Sequence, residues 1–270
     1  MSAMSDYLES ALANFVLGAQ AFSKPGTVYV ALYTGAPSDG GGGSEVSTYS
    51  TGYSRAAVTN NATNFPNANV TTGVKTNGTA ITFPTATGGW GTITHVALWD
   101  SPSGGSMLYW GALSTGRTIN AGDTARFAAG DLSITLTSGS NYFDATLGDC
   151  VLGGGTFSPP ATVYVGLHTA NPTEDGSVAE LAGSGYARAS VANNTTNWPN
   201  VSGSSGLKQN GTAIVFPTAS GSWGTITHFS VWSASSAGNL LFQGALAESR
   251  VIGSGDTPRF LANWLQITFS

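Results

Sequence analysis

The chain has 270 residues, of which only 9% are charged against 41% apolar, with 37 glycines, a single cysteine and a formal net charge of −5. That balance is too apolar for a disordered chain, and it leaves no basic stripe for phosphate backbones and no apolar run long enough to span a bilayer. One cysteine, Cys150, allows no internal disulfide, and the opening MSAMSDYLES lacks a basic-then-apolar secretion signal, so the fold is expected to stand in a reducing compartment.

The first predicted element is a helix in DYLESALANFVLG, with Asp6 as N-cap and Glu9 as the acid of a capping box. Leu8, Leu12, Phe15, Val16 and Ala19 fall on one face at helical spacing, and Gly18 supplies the stop. From Val28 the period changes to two. VYVALYT sets Val28, Val30 and Leu32 on one side and Tyr29, Ala31 and Tyr33 on the other. The Gly40 to Gly43 run lacks the Lys-Ser/Thr of a phosphate loop and reads as a flexible loop. TAITFP, ended by Pro84, then TITHVALW, SMLYWGAL and LSITL read as further strands separated by turn residues. Past TSGS (Thr137 to Ser140) a second series begins. Asn141 caps a helix, Asp144 takes the Glu9 role, Phe143, Leu147, Val151 and Leu152 form the stripe, and Gly153 ends it.

The second series repeats the first. NGTAITFPTATGGWGTITH from Asn77 returns as NGTAIVFPTASGSWGTITH from Asn210, GYSRAAV as GYARASV, NNATNFPN as NNTTNWPN, and GDTARF as GDTPRF. A period of about 130 residues is the size of a domain, well above the unit of a solenoid or propeller. The expected fold is mainly β: two tandem antiparallel β-sandwich, jelly-roll-like domains, residues 1–138 and 139–270, each with a leading helix and its own small core.

The order of helix, VYVALYT, a Gly-rich acidic loop ending in GSEVS, GYSRAAV, NGTAITFP, WGTITHVALWD, MLYWGAL and GDTARFAAGDLSITL resembles a family of tailed-bacteriophage virion proteins commonly labelled tail fibre or minor tail proteins. The resemblance covers both halves. It implies a β-rich structural component of the virion, made and assembled in the bacterial host cytoplasm, with no catalytic residues to carry over. It also implies partners in other virion proteins and in further copies of the chain, a trimer by analogy with phage fibre and decoration proteins. The fibre reading carries host attachment with it. A capsid head decoration protein is the alternative, and a carbohydrate-binding module a more distant one.

The residues by themselves assemble no catalytic site, cofactor site or metal site. Glu45 with Arg55 and Glu180 with Arg188 read as structural ion pairs, and Asp123 and Asp256 as turn acids beside Arg126 and Arg259. His95 and His228 are the repeated histidines, expected to be partly buried and bonded to backbone, whereas His168 stands where the first copy has Tyr33. Trp90, Trp99, Trp223 and Trp232 recur as core residues do, Trp110 and Trp198 do not, and Trp264 completes the set from which a sugar-stacking platform could be drawn. No receptor or glycan contact is identified. The loops that diverge between copies, Ser38 to Ser50, Asn67 to Thr76, Glu174 to Ser184 and Asn200 to Gln209, are the places for one. Asn61, Asn69, Asn77, Asn194, Asn200 and Asn210 begin N-x-S/T sequences and are expected to be unmodified turn residues.

Overall fold

A computed structural model of the chain describes residues 3–201 and 206–269, so the Asn200 to Gln209 loop lies partly outside the described residues. In the first half the elements are β1 (Ala3–Met4), α1 (Asp6–Val16), β2 (Thr27–Tyr33), β3 (Ala56–Thr59), β4 (Val74–Thr76), β5 (Ile81–Thr85), β6 (Gly91–Trp99), β7 (Met107–Ile119), β8 (Thr124–Phe127) and β9 (Ser133–Thr135). The second half holds α2 (Asn141–Val151), β10 (Thr162–His168), β11 (Ala189–Ala192), β12 (Leu207–Gln209), β13 (Ile214–Val215), β14 (Gly224–Trp232), β15 (Leu240–Ile252), β16 (Arg259–Phe260) and β17 (Gln266–Thr268).

The fold is mainly β, in two similar antiparallel halves. The first has a sheet in the order β1-β7-β6-β2-β3 with two strand pairs, β4-β9 and β5-β8, packed beside it. The second repeats this as β11-β10-β14-β15 with β12-β17 and β13-β16. Among the described residues, no strand of one half pairs with a strand of the other. The two-residue period of VYVALYT works as read. Val28, Val30 and Leu32 enter the main core, while Ala31 and Tyr33 form a second cluster with Ala97, Trp99 and Met107 on the opposite face.

Both helices start one residue earlier than the sequence suggests. Ser5 and Ser140 are the N-caps, their hydroxyls accepting from the amides of Leu8 and Phe143, and Asp6 and Asn141 are already helical. Serine suits the cap because its oxygen reaches the third amide, so Glu9 falls one position beyond a capping-box acid. Ala19 is exposed past the end of α1, where Gly18 at φ 126° turns the chain away. Pro84 does not end its strand. It lies within β5 at a register irregularity, where a missing amide is tolerated.

The largest departure concerns the core. Instead of two small cores, most of the buried apolar side chains form one contiguous cluster drawing on both halves, with only the Tyr33 and Trp99 cluster set apart from it. The reason is the helices: α1 packs against β12 of the second half, and α2 against β4 of the first. Phe157, just past α2, touches Phe15 of α1 at 5.8 Å and Phe143 of α2 at 5.5 Å between ring centroids.

Polar bonds across this contact come in matched sets. Asn60 donates to Val151 O (2.9 Å) and accepts from Gly153 N (2.6 Å); Asn193 donates to Val16 O (2.9 Å) and accepts from Gly18 N (2.7 Å). Asp149 Oδ1 takes Ala68 N and Lys75 Nζ, each at 2.7 Å, and Asn14 Oδ1 takes Val201 N (2.7 Å) and Lys208 Nζ (2.9 Å). Each side of the contact thus uses the same surface toward the other, the geometry of an isologous dimer inside one chain.

Candidate binding surface

Charged groups kept in both copies turn out to hold strands and turns. Arg55 makes a two-pronged bond to Glu45 (Nε–Oε1 2.9 Å, Nη2–Oε2 2.8 Å), donates to the carbonyls of Ser101 and Gly104, and lies 4.0 Å from the Trp99 ring centroid. Arg188 does the same with Glu180, Ala234, Ala237 and Trp232. Tyr53 and Tyr186 complete the arrangement by donating to the same carboxylates and accepting from the Leu32 and Leu167 amides. Asp123 and Asp256 do not pair with Arg126 and Arg259. Their carboxylates accept from the amides of Asn120 (2.8 Å) and Gly253 (2.7 Å), closing the turn through backbone.

His95 and His228 are half-buried and bond to the neighbouring Thr94 and Thr227 hydroxyls, not to backbone. His168, which stands where the first copy has Tyr33, is fully buried. Its Nδ1 meets Val178 O at 2.9 Å and its Nε2 meets Ser230 Oγ at 2.7 Å, and Ser230 also accepts from Trp232 Nε1 at 2.7 Å. In the first copy the Tyr33 hydroxyl and Trp99 Nε1 are buried with no partner among the described residues other than each other, whereas the second copy has made the same cluster more polar and satisfied. Burial pushes the His168 pKa down, which favours the neutral ring. A Ser–His contact with neither side chain exposed offers no access to a substrate.

The glycine run is not a loose loop. Gly41 takes φ 91° with its Cα turned onto Trp99, where an added Cβ would lie 2.7 Å from the ring, and Gly176 sits on Trp232 in the same way. One glycine suffices for this contact, so the counterpart loop needs no run. Of the other divergent loops, 67–76 and the described part of 200–209 are occupied at the contact between halves through Ala68 and Val201.

Trp90, Trp99, Trp223 and Trp232 are buried, as their recurrence suggests. Trp198 is buried completely despite replacing Phe65, and Trp110 is half-buried with its Nε1 on Asp39 (2.8 Å). Trp264 alone among the tryptophans is exposed, at 61%. It lines a groove of about 960 Å³ between the outer part of β15 and the 258–266 segment, with Leu167, Ile226 and Phe229 at its base. A bulge shapes one wall. Ile226 pairs with Arg250 but His228 with Ala245, so residues 246–249 stand opposite Thr227 alone.

A further acidic cluster, Asp6, Glu9 and Asp39, brings three carboxylates within 4.8 Å of one another. Burial, then Asp39 and Asp6, push the Glu9 carboxyl up to about 7. Loss of hydration is the larger cause, and the crowding of like charges adds to it.

A sequence profile for the family described as podophage GP4 fiber I protein gp80 matches residues 3–135 and again residues 138–268. The chain belongs to that family. It is therefore a structural, fibre-type component of a phage particle and an associate of other virion proteins, built from two copies of the family unit. A search of curated proteins finds no match. Among the described residues, no helix is long and apolar enough to cross a membrane. The groove beside Trp264 falls in the second family segment, and its counterpart in the first carries Asp131 where the second has Trp264. The sequence did hold a signal for it: positions where the second copy replaces polar or small residues by large apolar ones, as Thr118 to Val251 and Ala128 to Leu261.

Proposed function

We propose that this fibre-family chain acts by assembly and by contact with the host surface, without turning over a substrate. The observation that carries the reading is the family match over both halves, joined to the use made of their shared polar residues. Glu45, Arg55, Asp123 and their second-copy partners spend their hydrogen bonds on backbone and on each other. None of these six is left to act as acid or base beside a nucleophile. The units are proposed to divide near residues 138 and 139, and the chain to associate as a trimer on the particle, with a position on the tail favoured over the head by the fibre family.

The test has three arms: density for the chain in an electron cryomicroscopy map of the virion, sedimentation of recombinant protein, and incubation with host-surface polysaccharide. A tail position, a trimer and intact polysaccharide are expected. A strict monomer absent from particles, or polysaccharide cleavage lost on changing Asp123 and Asp256, overturns the reading.

A further inference from the structure

We infer that the groove beside Trp264 binds an acidic oligosaccharide, one whose sugars carry carboxylates; the inference rests on the proposed host-surface contact and names its site and ligand. The first copy of the repeat serves as the internal comparison. At the position of Trp264 it has Asp131, whose carboxylate accepts from the Ala128 amide at 2.6 Å and closes the turn. The second copy keeps the turn's backbone bond, Trp264 N to Leu261 O at 3.1 Å, but has given up the side-chain bond for an indole that is 61% exposed. Beside it Asn263 holds φ 66° where the first copy has Gly130 at φ 85°, a conformation that a side chain adopts with some strain.

The change is not confined to one residue. Val251 (72% exposed) and Leu261 (38%) border the same groove, where the first copy has Thr118 and Ala128. Three apolar replacements around one concavity, against a polar counterpart on the same backbone, mark a surface shaped for contact. The groove's volume of about 960 Å³ suits a few linked sugar rings.

Charge selects the occupant. Arg250 and Arg259 line the groove against one carboxylate, Glu248, a local excess of positive charge in a chain with nine Lys and Arg residues and a net charge of −5. The Arg259 side chain makes no hydrogen bond or ion pair among the described residues, and the Arg250 side chain makes only a 3.4 Å contact to Glu248, the Arg250 and Glu248 side chains being more than two-thirds exposed. Such a pair is worth little and yields readily to a better anion. Guanidinium forks fit carboxylates, a flat indole fits the apolar face of a pyranose ring, and the Asn263 and Gln266 amides fit hydroxyls. The first copy keeps both cations as Arg117 and Arg126 and one acid, Asp131 in place of Glu248, but has no aromatic platform and no apolar rim, so it is expected not to bind.

The experiment titrates the full chain with an oligogalacturonate and, separately, with a neutral oligoglucan, by calorimetry and tryptophan fluorescence. Expected are one site per chain, preference for the acidic ligand, and weakening with salt. Trp264→Asp, which installs the first copy's residue, should lose about tenfold or more in affinity, and Arg259→Ala should lose the acidic preference. Circular dichroism confirms that each variant is folded, and Leu261→Ala supplies a milder second variant. Equal binding of both ligands, two sites per chain, undiminished binding by Trp264→Asp, or self-association that Trp264→Asp abolishes would each overturn the inference. Adhesion to host cells separates the two readings. Cells bound equally by wild type and Trp264→Asp sink the groove and leave host contact standing; oligouronate bound without adhesion sinks host contact alone.

Discussion

Lys208 and Lys75 occupy equivalent positions and are both buried, but only Lys75 has a carboxylate, Asp149; Lys208 meets the Asn14 amide oxygen. Burial pushes the Lys208 pKa down from 10.5 to about 8. Between those values the unfolded chain binds more protons than the folded one, so this lysine makes stability rise with pH from about 8 to 10.5. Asn14→Asp should supply the missing carboxylate and shrink that rise, read as the denaturant midpoint of variant and wild type at pH 7 and pH 10. An unchanged difference at the two pH values would contradict the assignment. Glu9 has the opposite sign. Its folded value of about 7 exceeds the ordinary 4.5, so its contribution is present below about pH 4.5 and lost as pH rises through 7. Glu9→Gln should therefore be more stable than wild type at pH 8, with the gain vanishing near pH 4. Neither lysine nor Glu9 could be read as buried from sequence, because a charged residue in a polar stretch looks solvated until the packing of the other half is known. The N-x-S/T asparagines were more legible. Asn61, Asn69 and Asn194 accept local amides within their turns, and Asn77 and Asn210 are buried and bond across to the β9 and β17 ends, all without positive φ.

At the scale of elements, periodicity located both helices and the long strands, because the alternation of apolar residues directly records which face meets the core. It failed at ends. A hydroxyl cap and an acid one residue later look alike in sequence, and the structure assigns the cap to Ser5 and Ser140. Ser140→Ala should cost about 1 kcal/mol or somewhat more in thermal or chemical denaturation, since its hydroxyl also donates to Leu240 O at 2.7 Å. Asn141→Ala should be milder. The apolar alternation of SMLYWGAL stops at Leu113, yet β7 continues to Ile119 past a bulge that the second copy repeats. Polar residues on both faces, STGRT, hid that extension.

On the scale of the whole molecule, the tandem repeat and sheet class were plain in the sequence, but the contact between halves was not. Its key residues, Asn60 and Asn193, sit in the repeated NNATNFPN and NNTTNWPN segments and look like turn formers, which they resemble locally. Only the fold shows each of them capping the helix of the opposite half. Reciprocity makes the two sites comparable, so Asn60→Ala and Asn193→Ala should destabilise by similar amounts, about 1–3 kcal/mol for buried groups left unpaired. With a continuous core, calorimetry of the intact chain should give one cooperative transition; two resolved transitions would contradict the shared core. The reciprocal contact has a further consequence in counting. A dimer of identical single-unit chains must present every surface feature twice, on opposite sides of its axis. Once both units lie in one chain, the contact can stay symmetric while the exterior drifts apart, and Trp264 opposite Asp131 is such a drift. Valency on the particle then follows the number of chains and not the number of units, and each chain can face one way.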